Sequence, residues 1–178
     1  MPQPIETSFE SNDGNLRQVV QYDFSSFSET EPANSMLLSL YNIWESLCGD
    51  AVMPRAEAFA SGKLSILRMK NDISLLDVSS PNPWNFKIVT QTYLFRGDAK
   101  EINHDGFIRD IPELMHSRAT MRECIKARQA VAPLYHELFM NFSGASQHFM
   151  QVSLPLSNAD GLVSHLLFGT RDIVSWIN

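Results

Sequence analysis

The sequence predicts an α+β domain, in which one antiparallel β-sheet carries helices on one face. Three observations lead to this fold class. Residues 149–168 have the pattern of two β-strands joined by a turn, and residues 34–48 have the pattern of an amphipathic helix. The other predicted strands divide into a pair and a later single strand, with a helical stretch between them. Together with the hairpin at 149–168, this gives five strands, two before the helical stretch and three after it.

The composition excludes several classes of protein. The chain has 178 residues, of which 44% are hydrophobic and 19% charged, as expected for one globular domain with a tail. The net charge of -6 argues against non-specific nucleic-acid binding. Cys48 and Cys124 have no metal-site or disulfide-framework spacing. With no secretory signal and no long apolar run, we expect a cytoplasmic protein without a membrane span.

The first 33 residues are rich in Ser, Glu, Asn, Gln and Pro and show no sustained periodicity. We therefore expect residues 1–33 to be a mostly irregular tail, with a short ordered piece at residues 17–27. The folded domain is predicted to span residues 34–175.

The first predicted helix begins after a cap at Asn34 or Ser35 and ends at Gly49. Apolar side chains recur on one face at three- and four-residue spacing: Leu37, Leu40, Tyr41, Trp44, Leu47 and Cys48. Met36 and Ile43 make this stripe wider than packing on one sheet requires. Two interpretations stay open, a core helix or a helix whose second flank forms a homodimer. The candidate interface residues are Met36, Leu40, Ile43, Trp44 and Leu47.

A loop at 51–55, a helical turn at 56–59 and a helix at 63–69 are predicted to follow. Residues 73–78 and 84–94 alternate as two strands of a hairpin, and the intervening Ser, Asn and Pro residues break the pattern. Residues 95–111 are rich in turn-forming residues and predict loops and short helices.

The C-terminal half is predicted to contain helices and three strands. Pro112 would start a helix that reaches His116, and residues 117–128 would form a longer one. Residues 130–140 predict a strand, and residues 141–146 a turn. The hairpin at 149–168 then turns at residues 157–161 and lies at the centre of the sheet with one face buried.

Several of these segments resemble a bacterial PAS family, the PAS domain of the fifth type, whose members are often whole small proteins of this length. The motif Y-x-x-W-x4-G-x4-P-R is formed by Tyr41, Trp44, Gly49, Pro54 and Arg55. Residues 66–78, 84–94, 130–135 and 151–169 resemble later blocks of the family in the same order, so the resemblance spans residues 37–173. The chain departs from the family at Thr90 and Gln91, where a Gly-Thr pair is common, and at Cys48, where a basic residue is favoured.

The resemblance implies a PAS-like five-stranded antiparallel sheet, with helices on one face and an amphipathic N-terminal helix. PAS modules generally bind small molecules or protein partners and relay a state, often as dimers. We therefore expect a non-enzymatic sensory module, a homodimer that acts on a signalling protein partner.

Aromatic residues are the remaining candidates for a ligand site. Those that would line the inner face of the sheet are Phe86, Tyr93, Phe107, Tyr135, Phe139, Phe149 and Phe168. They would either fill a solid core or surround a planar or acyl ligand.

The sequence gives little indication of a metal, haem, redox or catalytic site. The histidines lack the paired spacing of metal ligands, so no metal site is predicted. No cofactor is assigned. If a haem were bound, the candidate ligand would be His104 or His116. Cys124, in a basic helix, is either redox-sensitive or buried and inert. No catalytic residue is predicted. Two alternatives stay open, a small cone-shaped α+β enzyme that uses a His–Asp pair, or a structural adaptor with a filled core.

Overall fold

The structure, a computed structural model, describes residues 4–60, 73–90, 106–111, 114–142 and 145–173. These residues form an α+β domain around one antiparallel sheet, which confirms the predicted class. The sheet has seven strands in the described ranges rather than the expected five.

The elements follow one another along the chain with these bounds. The strands are β1 (Pro4–Asn12), β2 (Asn15–Tyr22), β3 (Ile73–Asp77), β4 (Lys87–Thr90), β5 (Leu134–Phe142), β6 (Ala145–Ser157) and β7 (Val163–Asp172). The helices are α1 (Phe27–Thr30), α2 (Met36–Cys48), α3 (Ala56–Ala60) and α4 (Leu114–Ala130), with short 3-10 turns at Phe24–Ser26, Pro83–Asn85 and Ile108–Asp110. The strand order across the sheet is β1-β2-β5-β6-β7-β3-β4.

The N-terminal residues form a hairpin, so the prediction of a mostly irregular segment is wrong for the described part of residues 1–33. β1 and β2 pair through a tight turn in which Asp13 and Gly14 both have positive φ (48° and 81°). β2 then pairs along its whole length with β5, from Leu16 to Tyr22. β1 is exposed on both sides, so it has no apolar periodicity to reveal it. The Asp-Gly pair is the sequence signal that marks this turn.

Helix α2 agrees with the prediction at both ends. The Ser35 hydroxyl accepts a hydrogen bond from the Leu37 amide at 3.1 Å, and Gly49 ends the helix with φ of 55°. Leu37 and Leu40 are fully buried against β6 and β7. Gly169 on β7 allows this close approach, because a Cβ there would lie 2.6 Å from Leu40 Cδ2.

Helix α4 is one helix where the sequence predicted two, and it covers the face of the sheet opposite α2. Its Met121, Cys124 and Ala127 pack with Phe168 on β7, whereas α2 packs with Leu167. The expectations that helices lie on one face and that the central hairpin buries one face are therefore wrong. The apolar run in β7 fits a strand that is covered on both sides.

The first predicted hairpin is confirmed in β3 and β4. β4 begins at Lys87, after the 3-10 turn at Pro83–Asn85, rather than at the expected residue 84. β3 also pairs with β7, so the β3–β4 hairpin lies beside the strands β5, β6 and β7 in one sheet. Three predictions fall outside the described residues. They are the helix at 63–69, the helix start at Pro112 and most of the loops and short helices at 95–111.

Candidate functional site

A cavity of about 250 Å³ lies between α4 and the outer strands of the sheet. Alternation along β2 directs Arg17, Val19 and Gln21 toward α4, and His136 on β5 lies beside Gln21 as its register partner. Helical spacing brings Ala119 and Glu123 of α4 to the same space. The cavity therefore depends on the N-terminal hairpin, which forms its outer wall.

Ion pairs connect the walls of this cavity. Arg17 Nη2 lies 2.5 Å from Glu123 Oε1, and both side chains are largely buried (3% and 12% exposed). Nearer the surface, Lys126 Nζ lies 2.5 Å from Glu6 Oε2. A further pair joins Arg122 on α4 to Glu10 on β1. Three cations thus face three carboxylates, and they tie the hairpin to the helix.

Three buried polar atoms, each on a residue that lines the cavity, have no hydrogen-bond partner in the described part of the chain. They are Arg17 Nε, Gln21 Oε1 and His136 Nδ1, and none of these residues is more than 9% exposed. A buried polar group without a partner costs about 1–3 kcal/mol. The three atoms are closed off from the cavity itself, so a molecule in it would reach them only after the side chains move.

The histidine in the cavity is neutral at physiological pH. Burial, together with the nearby positive charges of Lys126 and Arg17, lowers the pKa of His136 to about 3. One ring nitrogen is then a donor and the other an acceptor. Burial also raises the pKa of Glu123, and the adjacent Arg17 opposes that rise.

A second cavity, of about 230 Å³, lies on the other face of β2 and β5 and is lined in part by Gln18 and Phe139. Glu137 there accepts a hydrogen bond from the Tyr22 hydroxyl, and its Oε1 lies 2.7 Å from His148 Nε2. Burial, helped by Glu137, raises the pKa of Tyr22 to about 12. This is a half-buried histidine–carboxylate pair on the wall of the second cavity.

A buried network anchors α1 and α2 to the sheet. The Glu31 carboxylate accepts two bonds from Arg171, from Nε at 3.0 Å and from Nη2 at 2.9 Å. It also accepts bonds from the Ser35 and Tyr135 hydroxyls, both at 2.5 Å. Burial raises the pKa of Glu31, but these donors outweigh it and hold the pKa below its usual value. All of its acceptor capacity is used within the chain, so its role is structural.

The aromatic residues expected to line a pocket do not come together. Phe86 and Phe168 pack under α4, Phe149 lies in a separate cluster, and Tyr135 faces α2. Two others lie elsewhere. Phe139 borders the second cavity, and Phe107 is half-buried with Arg109 4.0 Å above its ring. Tyr93 lies outside the described residues. The members that are buried fill the core.

The candidate dimer residues on α2 divide into two sets. Leu40 and Trp44 are buried within the chain, and Trp44 Nε1 donates to the Pro155 carbonyl at 2.8 Å. These two therefore cannot form an intermolecular contact in the folded chain. Met36, Ile43 and Leu47 are only partly buried.

The residues of the family motif hold the start of the domain together. Tyr41 stacks on Trp44 at 5.9 Å, and Gly49 ends α2. The Pro54 carbonyl accepts a bond from the Ser157 amide at 2.9 Å, and Arg55 forms the adjoining bridge and is itself exposed.

The remaining candidates are the histidines considered for haem and the cysteine considered for redox sensitivity. His116 is buried on α4, and burial also lowers its pKa to about 3. Cys124 is fully buried, and burial raises the pKa of its thiol well above the usual value, so it has the character of an inert core thiol. His104 lies outside the described residues. Within the described ranges, no three His, Cys, Asp or Glu side chains come together to hold a metal ion.

Sequence reasoning missed Arg17, Gln21, Glu123 and His136 as site residues. Residues 15–22 do not alternate polar and apolar types in sequence, and their alternating burial is seen only in the structure, so no local signal indicated these residues.

Comparison with protein-family models, curated proteins and solved structures finds no significant match. Among the described helices, none combines the length and the hydropathy that a membrane span requires.

Proposed function

We propose that this chain is a cytoplasmic, non-enzymatic PAS-type sensory module, which binds a small molecule in the cavity between α4 and the β1–β2 hairpin. One observation carries the proposal, a half-open cavity whose walls include three residues with buried polar atoms that lack partners. Such atoms are rare in folded proteins, and a polar molecule that enters as these side chains shift would supply their missing partners.

The architecture of the sheet supports the PAS part of the proposal. β3 to β7 are contiguous in the order β4-β3-β7-β6-β5, and two of these strands precede α4 whereas three follow it. The resemblance implies five antiparallel strands divided in this way. β1 and β2 extend this unit at β5 and create the cavity.

Helix α4 provides a route by which binding would be relayed. Its Ala119 and Glu123 face the cavity, and its Cys124 and Ala127 pack in the core under β7. A ligand that binds more tightly to one packing of α4 on the sheet shifts the population toward that packing. The output would then pass to a protein partner or to a second copy of the chain.

A ligand screen by thermal unfolding tests this proposal. A compound present at 100 times its Kd raises the free energy of unfolding by about 2.7 kcal/mol. For a domain of this size, that raises Tm by about 5 to 10 °C. Val19→Phe, which fills the cavity, should abolish the rise, and Val20→Phe on the opposite face of β2 should keep it. A screen without hits would favour the structural adaptor, and hits unaffected by Val19→Phe would place the ligand elsewhere.

The proposal includes a homodimer through the outward flank of α2, formed by Met36, Ile43 and Leu47. These apolar side chains remain partly exposed after α2 has packed on the sheet. Ile43→Glu should shift the mass measured by light scattering from dimer to monomer. The control Asn42→Glu adds the same charge at an exposed neighbouring position and should leave the dimer intact. Equal masses for both variants would rule out this interface.

The cone-type enzyme remains a second candidate because of the histidine–carboxylate pair in the second cavity. A hit from the ligand screen that is chemically converted by the wild-type chain, and not by His148→Gln, would favour this candidate.

A further inference from the structure

We infer that β1 is a docking edge, to which an extended segment of a partner protein adds as an antiparallel strand, and that this segment alternates basic and apolar residues. The inference rests on the proposed function and adds the chemistry of the partner that receives the output. β1 also contributes Glu6, Ser8 and Glu10 to the wall of the cavity beneath the hairpin. Binding in the cavity and binding at the edge therefore act on the same strand.

The two edges of the sheet differ in how they are covered. β4 lies at one edge, where the Ile88 amide donates to the Gly106 carbonyl at 2.7 Å and the Ile108 amide donates to the Phe86 carbonyl at 3.0 Å. β1 lies at the other edge and pairs only with β2 among the described strands. No backbone hydrogen bond from a described residue reaches its outer side. A long uncovered edge strand is a template for the addition of another strand.

The backbone groups that an added strand would bind follow from the turn of the hairpin. Asn12 and Asn15 flank this two-residue turn and are register partners. Such a pair is joined by hydrogen bonds, so every second residue from Asn12 backward bonds to β2. The residues between them direct their N–H and C=O groups away from β2; they are Thr7, Phe9 and Ser11. This row matches the hydrogen-bonding pattern of an extended segment.

One face of the edge offers an apolar contact. Glu10 lines the cavity on the side of α4, so alternation places Phe9 and Thr7 on the opposite face of β1. Phe9 is 63% exposed there. The register partners of these two residues, Gln18 and Val20, border the second cavity. Apolar side chains on the same face of an added strand would pack on Phe9.

The other face of the edge favours basic side chains. β1 carries Glu6 and Glu10 and no Lys or Arg. Each carboxylate binds a cation of α4 through one oxygen, Glu6 to Lys126 and Glu10 to Arg122. Helix α4 packs over β6 and β7, so these cations lie on the inner side of β1. The second oxygen of each carboxylate can accept a hydrogen bond from a Lys or Arg on an added strand.

A second copy of this chain fits the edge poorly. Residues opposite each other in an antiparallel pair share a face, so two β1 strands would place Glu6 and Glu10 of both copies on one face. Four carboxylates would then lie close together, and like charges opposite each other are destabilising. The net charge of -6 on each copy adds to the repulsion. A different protein with a basic segment is the better partner.

The experiment compares two capped heptapeptides that differ only in charge. The first is Lys-Val-Lys-Val-Lys-Val-Lys, and the second has Glu in place of every Lys. Each peptide is titrated into the full chain, and the amide resonances are followed by NMR. We expect the lysine peptide to shift the amides of Thr7, Phe9 and Ser11 and to slow their exchange with solvent. It should bind at least about tenfold more tightly than the glutamate peptide.

Methylated peptides test the strand pairing on the unchanged protein. In an antiparallel pair, the peptide residues that share a face with Phe9 also direct their amides toward β1. These are the valines. N-methylation of the three valine amides should therefore abolish binding, whereas N-methylation of three lysine amides should leave it within about threefold of the parent peptide.

A proline on β1 tests the same contact from the side of the protein. Proline is tolerated on an edge strand where the N–H faces solvent, so Thr7→Pro removes an outward donor and keeps the pairing with β2. It should weaken binding of the lysine peptide at least about tenfold, and Thr7→Ala, which keeps the amide, should not. Thr7→Pro should also keep the rise in Tm that a cavity ligand produces.

Each contrary outcome overturns a different part of the inference. Equal affinity of the two peptides would show that the partner segment is not selected by charge. Binding that survives methylation of the valines or Thr7→Pro would place the peptide away from the outer side of β1. If Thr7→Pro lowers the mass of the chain in the absence of peptide, the occupant is a second copy. If neither peptide perturbs β1, it is not a docking edge, and the ligand screen with Val19→Phe still decides the cavity separately.

Discussion

Mild acid should destabilise this protein because two histidines are buried in neutral form. Burial lowers the pKa of both His136 and His116 to about 3, from 6.5 for an exposed histidine. When the chain unfolds below pH 6.5, both side chains take up protons that the folded state excludes. The unfolded state then binds more protons, so the free energy of unfolding falls as the pH is lowered from 6.5 toward 3.

The size of the effect follows from these two pKa values. Between pH 7 and pH 5, each histidine lowers the free energy of unfolding by about 2 kcal/mol, or about 4 kcal/mol for the pair. That is a large part of the stability of a typical domain, which is about 5–15 kcal/mol. Most of the loss occurs below pH 6.5 and continues until the folded-state pKa is reached.

Urea unfolding at pH 7, 6 and 5 measures this loss. His136→Gln and His116→Gln should each reduce the loss between pH 7 and pH 5 by about 2 kcal/mol relative to the wild type. Val152 on β6 is fully buried in the core beside α2. Val152→Ala is therefore the control, because it destabilises the core without removing a titratable group and should keep the full pH dependence. If both histidine variants lose as much stability as the wild type, these side chains are not buried in neutral form.

Three further predictions concern contacts that hold the helices to the sheet. Glu31→Gln breaks the paired bonds with Arg171 and should lower the free energy of unfolding by about 3 kcal/mol; a change near zero would show that the pair is not buried. Gly169→Ala places a methyl group against Leu40 and should cost about 1–3 kcal/mol in urea unfolding, whereas an unchanged midpoint would mean that α2 lies farther from β7. Trp44→Phe removes the donor to a buried β6 carbonyl and should cost about 1–3 kcal/mol; wild-type stability would show that water replaces the indole.

The elements with strong periodicity were the ones that sequence could predict. Helix α2 has a capping serine, a terminal glycine and a clear apolar stripe, so its bounds follow from local chemistry. The β6–β7 hairpin has a turn rich in Asn, Asp and Gly between two apolar arms. In both cases, residues close in sequence determine the structure.

The candidate site was not predictable in the same way, because it is formed by segments distant in sequence. Arg17 and Glu123 meet only when β2 joins the sheet at β5, and nothing local in either segment indicates that contact. β1 has no buried side chains and therefore lacks the pattern of a half-buried strand. The aromatic residues were expected to line one inner face of the sheet, whereas Tyr135 packs on the α2 side and Phe168 on the α4 side. The face on which each aromatic side chain lies depends on the strand register, because a shift of one residue moves every side chain of a strand to the opposite face.

The most direct test of the account is hydrogen exchange with and without a compound that raises Tm. We predict slower amide exchange in β2, β5 and the cavity-facing turns of α4 when the compound is bound, and unchanged exchange in β3 and β4. Protection confined to β3 and β4, or protection that persists in Val19→Phe, would contradict a ligand site beneath the N-terminal hairpin.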